Sequence, residues 1–163
     1  MKWSPWKNIT ESSRYDGCAV YEVRLVNKED HPVIINRFLG TDKEGILAIG
    51  MTTNMERRRK QFIYGENRCR AHSEGNLLFL LKEYSRFKTK YNRTRYQYRF
   101  QKVKTRDDAK KKEKKLIKDY FKKYGEVPPL NSAIPDRYDK ASWDKWKNLF
   151  SKRTIYFVVP NFF

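Results

Sequence analysis

Cysteine and histidine are nearly absent, with two of each in 163 residues. Cys18 and Cys69 form no CxxC pair and no secretory context surrounds them, so the fold cannot rest on a disulfide framework. Cys69 and His72 have a ligand-like spacing, but no second Cys pair follows to complete a structural zinc site. No stretch approaches the ~18 uninterrupted apolar residues of a membrane span. The N-terminal segment up to Gly17 lacks the apolar core of a signal peptide. Internal repeats and Gly/Ser linkers are missing too. One domain over residues 1–163 is expected, in a cytoplasmic protein that does not enter membranes.

Acidic residues are also scarce: 19 Asp and Glu face 37 Lys and Arg, a formal charge of +18. A field of that strength on a small surface draws in polyanions, which makes nucleic acid the leading partner class. Two rivals are an acidic membrane surface and RNA packing of the ribosomal kind. The first needs a basic amphipathic helix with a strong apolar face or a long apolar run, and no stretch approaches ~18 uninterrupted apolar residues. The hydrophobic fraction is only 39%, yet 15% of residues are aromatic, and each aromatic ring buries a large area. A packed core is therefore expected.

The segments Cys18 to Asn27, Pro32 to Phe38 and Gly45 to Ile49 are rich in β-branched residues, bounded by turn signals, and read as an antiparallel meander. Thr53-Asn-Met-Glu56 has the form of a capping box and opens a short helix from Met55 to about Ile63. Leu77, Leu80, Leu81, Tyr84 and Phe87 recur at helical spacing, which predicts a second helix over 74–87. Tyr96 to Val103 alternates aromatic and basic residues, as a half-buried strand does. A cap at Thr105 opens a third helix that should stop at Tyr124-Gly125, ahead of Pro128-Pro129. The tail adds a short helix with Trp143, Trp146 and Phe150, and a strand from Thr154 to Val159. The fold class is small α/β (α+β).

In the third helix Ala109, Leu116, Ile117, Tyr120 and Tyr124 form one stripe, and Glu113 falls on it while the lysines take the other faces. An inward carboxylate must be paired or metal-bound, because an unpaired buried charge costs several kcal/mol. Arg58 poses the same question on the first helix, sharing a face with Met55 and Phe62. It is either a phosphate clamp or the ion-pair partner of Glu113.

These residues also carry a family resemblance. Ala19-Val20-Tyr21-Glu22-Val23, then Ala48-Ile49-Gly50-Met51-Thr52, then Arg58, His72, Glu113 and Pro128-Pro-Leu-Asn131 follow one another in order. In this the chain resembles the GIY-YIG nuclease superfamily over about residues 17–131, with 132–163 as a C-terminal extension. The resemblance implies a three-stranded antiparallel sheet flanked by helices, with residues 32–42 as an inserted strand and loop. It implies a divalent-metal-dependent DNA endonuclease, of restriction type or otherwise site-specific, in which Glu113 holds Mg²⁺ or Mn²⁺. Arg58 would stabilise phosphoryl charge, Tyr21 would orient or deprotonate the attacking water, and His72 would be a second proton-transfer or phosphate-binding group. Gly50, Thr52 and Asn131 would support the site. Ala48 stands where the family carries a second tyrosine, and Tyr64 is the candidate to replace that hydroxyl.

The partner implied is double-stranded DNA, positioned through phosphate contacts from Arg57, Arg59, Lys60, Arg68, Arg70, Lys88, Arg93, Arg95 and Lys112. Trp3 and Trp6 are either base-stacking residues or core packing. A monomer or transient homodimer would serve, since one site cuts one strand at a time. A second function class is a catalytically degenerate nucleic-acid-binding protein of the same fold, which would bind DNA and never cut it.

Overall fold

The computed structural model describes residues 2–68, 73–82 and 95–131. His72, Arg70, Lys88, Arg93, Cys69 and the expected C-terminal helix and strand lie outside them; Arg68 is described only as the last residue of a helix.

The fold is α+β. Strands β1 (Lys7–Asn8), β2 (Ala19–Leu25), β5 (Ile46–Thr52) and β6 (Tyr96–Lys102) form an antiparallel sheet in the order β1-β6-β2-β5. Strands β3 (Ile35–Arg37) and β4 (Gly40–Asp42) form a separate two-stranded hairpin. The helices are α1 (Met55–Arg68), α2 (Ser73–Lys82) and α3 (Arg106–Tyr124). The expected meander therefore needs correction: β5 pairs directly with β2, residues 32–33 bond the end of β2, and residues 35–42 form the separate hairpin. Alternation explains why. Residues 19–25 and 46–52 have apolar groups for both faces of a sheet, whereas Ile34 and Phe38 in the hairpin are left 63% and 61% exposed.

As the central strand, β2 is covered on both faces. Tyr21, Val23 and Leu25 join Tyr96, Tyr98 and Phe100 of β6 in one cluster, which Met55 and Phe62 of α1 and Leu78 of α2 close. The opposite face carries Ile46 and Ile49 under Ile117, Tyr120 and Tyr124 of α3. A register shift after Val23 lets β5 serve both clusters: Val23 stands opposite Ala48 and Arg24 opposite Ile46, so Leu47 and Ala48 both reach the first cluster. Glu22 and Arg99 pair at 2.6 Å on the α3 side, with the Arg99 guanidinium 4.7 Å from the Trp3 ring and 4.5 Å from Trp6. Trp6 also packs against the α3 cluster, so these tryptophans act in packing.

The termini of α3 follow the sequence. Thr105 caps it by accepting from the Asp108 N–H, and Gly125 ends it in the left-handed region at φ 74°. The start of α1 differs in its chemistry. Asn54 accepts from the Arg57 N–H at 2.7 Å, so the cap is Asn54 and not Thr53. Glu56 does not reach back but turns to Ser13 and Arg59. Among the described residues, no helix is long and apolar enough to cross a membrane.

Candidate active site at the edge of β5

An edge strand leaves a row of outward N–H and C=O groups that need partners. On β5 the chain after α3 supplies them. Leu130 N–H donates to the Leu47 carbonyl at 2.8 Å. Asn131 then clasps Ile49 with its side-chain amide: Oδ1 accepts from the Ile49 N–H at 2.9 Å and Nδ2 donates to the Ile49 carbonyl at 2.7 Å. Two residues on, the Met51 backbone lies beside the carboxylate of Glu113 and acts to lower its pKa. A planar amide thus does the work of a neighbouring strand, and Glu113 takes the next place along the same edge.

Glu113 reaches this point because it lies four residues after Ala109 and four before Ile117, both buried against the sheet. It is half-buried. Burial raises its carboxyl above the ordinary value of 4.5, against the opposing influence of the Met51 N–H, Arg58 and Lys110. The desolvation of the carboxylate is only partly offset by these neighbours.

Tyr21 comes from the central strand. Its partner in the register is Gly50, and its ring lies where a Gly50 side chain would be: an added Cβ would meet Oη at 2.3 Å and Cζ at 2.4 Å. Glycine is required here for space and not for backbone freedom. Glu74 in the first turn of α2, Arg58 and Glu113 all act on the Tyr21 hydroxyl by charge. Burial pushes the hydroxyl well above its ordinary 10.0; Glu74 and Glu113 push the same way and outweigh Arg58. At neutral pH the phenol is therefore protonated.

Arg58 is half-buried, and its buried Nε has no hydrogen-bond partner. Among the described residues no ion pair joins it to Glu113; the two interact through space. Tyr21, Arg58 and Glu113 thus meet from β2, α1 and α3, and α2 adds Glu74. The sequence reading passed over Glu74, although the rule that picked out Glu113 applies equally. Glu74 stands three and four residues before Leu77 and Leu78, on the apolar face of its helix, and is 8% exposed.

Arg59 is a correction. It is 8% exposed, and its guanidinium is held by Glu56 at 2.6 Å and by the Ile9 carbonyl at 2.8 Å, which leaves it unsuited to grip phosphate. Arg57 and Lys60 are exposed, while Lys112 and Arg95 are half-buried. Thr52 is 3% exposed and its Oγ1 bonds both the N–H and the carbonyl of Asn54, so it shapes the turn into α1. Tyr64 is 41% exposed. Ala48 is fully buried on the same face as Tyr21. No group of three or more His, Cys, Asp or Glu gathers as a ready metal cage among the described residues. Set against models of protein families, curated proteins and solved structures, the chain matches none.

Proposed function

We propose that the chain is a divalent-metal-dependent DNA endonuclease of GIY-YIG type, with its active site at the edge of β5. The observation that carries the reading is the convergence of Tyr21, Arg58 and Glu113, three residues far apart in sequence, on one point. Gly50 and Asn131, which the resemblance names as supports, have roles beside it: one makes room for the phenol, the other holds the strand. A +18 charge favours a polyanionic substrate.

The residues suit a small hard cation. Mg²⁺ retains several waters and needs only one or two carboxylates beside its substrate phosphates, so Glu113 alone suffices without a cage. Bound there, the cation would supply Lewis-acid polarisation of the phosphodiester. Arg58 contributes a fixed positive charge toward the phosphoryl oxygens. Tyr21 contributes the oxygen that orients the attacking water. As a neutral phenol it cannot act as a pre-formed tyrosinate, so its proton must have somewhere to go. Exposed Arg57 and Lys60 on α1 and the lysines of α3 would position the duplex through its phosphates.

The test is plasmid nicking with Mg²⁺ or Mn²⁺. The wild type should nick, and chelation or Glu113→Ala should abolish nicking while DNA affinity, measured in Ca²⁺, stays within about twofold of wild type. The loss of the family's second tyrosine at Ala48 is what favours the other reading, a binding-only protein. Tight DNA binding with no cutting across metals and substrates would decide for it.

A further inference from the structure

Proline at position 5 breaks the pairing along the outer edge of β6. β1 sets Lys7 opposite Tyr98 and Asn8 opposite Gln97, a register that would bring Pro5 opposite Phe100. Proline has no N–H to give. The Phe100 carbonyl takes the Ser4 N–H at 2.9 Å instead, and the Ser4 hydroxyl accepts from the Phe100 N–H at 3.0 Å. Beyond this one-residue slip lies a cavity of about 300 Å³, lined by Lys2, Trp3 and Ser4 of the N-terminal segment and by Phe100 and Lys102 of β6. Packing on Arg99 uses Trp3 only in part: the indole is half-buried and lines the cavity as well. Phe100 is held by stacking on Tyr15, with ring centres 5.6 Å apart, and the Lys102 ammonium stands 4.7 Å from the centre of the Tyr15 ring. Both lysines are exposed, and none of the five lining residues is acidic.

We infer that this cavity takes one unpaired nucleotide of a nucleic-acid strand, its base against Trp3 and Phe100 and its phosphates beside Lys2 and Lys102. Size, walls and charge select that occupant together. The volume stands at the small end of the ~300–1,000 Å³ usual for ligand sites, room for a single nucleotide. Aromatic walls accept any base, because every base has a π-face, but a base inside a duplex is already stacked on its neighbours and has no face to offer. Lysine ammonium groups meet phosphate as point charges. An uncharged apolar occupant would make no use of two exposed lysines in a lining without a carboxylate, nor of the +18 charge of the chain. Phe100 also stands opposite Tyr21 in the register, so the N-terminal wall lies two strand spacings, ~10 Å, from β2 and the proposed cutting point. The binding inference holds whether or not the strand is cut.

Fluorescence anisotropy on the full-length protein in Ca²⁺ tests this with three probes: a labelled oligodeoxythymidine, an abasic strand of the same length and charge, and a blunt duplex. Stacking one base on an aromatic side chain strengthens binding about 5- to 150-fold, so the wild type should prefer oligodeoxythymidine to the abasic strand by at least about fivefold. Trp3→Ala should remove that preference while its affinity for the abasic strand and the duplex stays within about twofold of wild type, and Trp3→Phe should keep most of it. Each lysine lost should lower the slope of log affinity against log salt for oligodeoxythymidine by about 0.7, read in Lys2→Ala and Lys102→Ala, which remove no packed ring. A thermal melt accompanies each variant; if Trp3→Ala is unfolded, the preference of the wild type and the salt slopes of the lysine variants decide. Equal wild-type affinity for the two strands, equal weakening of all three probes by Trp3→Ala, or unchanged salt slopes overturn the inference. Loss of binding to anionic phospholipid vesicles in Trp3→Ala, with oligodeoxythymidine binding untouched, overturns it in favour of a membrane surface.

Discussion

Replacing Gly50 by alanine places a methyl group at the point where the candidate site is tightest. The added Cβ would sit 2.3 Å from Oη and 2.4 Å from Cζ of Tyr21, more than 1 Å inside ordinary contact. Neither side yields easily. Tyr21 is 3% exposed, and β5 is held by Asn131 at Ile49. Overpacking of this kind costs about 1–3 kcal/mol. Alanine recovers some of that, about 0.5–1 kcal/mol, because glycine weakens a strand. The net expectation for Gly50→Ala is a loss of about 1–2 kcal/mol in urea unfolding. In a Tyr21→Leu background the colliding atoms are gone, and the same substitution should be neutral or stabilising by up to about 1 kcal/mol. Nicking should fall about 100-fold, since a 1 Å displacement of a positioned group is worth that much. A Gly50→Ala cost that is the same with and without the Tyr21 ring would refute the reasoning, because the glycine would then serve something other than the phenol.

Two further predictions concern the scaffold. The Arg59 guanidinium and the Ser13 N–H and hydroxyl hold the Glu56 carboxyl at about 2, below its ordinary 4.5. Because the folded value is depressed, the stabilisation is complete above pH 4.5 and is lost as pH falls toward 2; at most it amounts to about 2–3 kcal/mol. Glu56→Gln should therefore flatten the pH dependence of urea stability between those limits, and an unchanged slope would show that other carboxyls carry it. Asn131→Ala removes both side-chain hydrogen bonds to Ile49, at a cost of about 1–3 kcal/mol. It should also speed amide hydrogen exchange at Ile49 by at least tenfold while leaving β6 protected, and unaltered exchange at Ile49 would mean that the clasp does not secure the edge.

Much of the architecture could be read from local pattern. The stripe Ala109, Ile117, Tyr120 and Tyr124, the Thr105 cap and the Gly125 stop all depend on neighbours within one or two turns, and α3 is built as they indicate. The aromatic alternation of 96–100 likewise produced β6. Glu113 was visible as an inward carboxylate by the same periodicity, and Glu74 was visible in principle, although its helix was read for its leucines.

What sequence alone determined was which residues face inward, because side-chain period and apolar burial are local matters. Pairing was decided by the tertiary structure. Residues 35–38 have strand-forming side chains, yet they turn to 40–42, because β5 and β6 already take both edges of β2. Periodicity singled out Arg58, but Arg57, Arg59 and Lys60 read alike as phosphate contacts, and only its surroundings show Arg59 to be a buried structural arginine. Above all, the nearness of Tyr21, Arg58, Glu74 and Glu113 depends on the edge of β5, where a side-chain amide takes backbone bonds a further strand would have made. No local rule places four residues from four elements at one point; the closure of the sheet edge does.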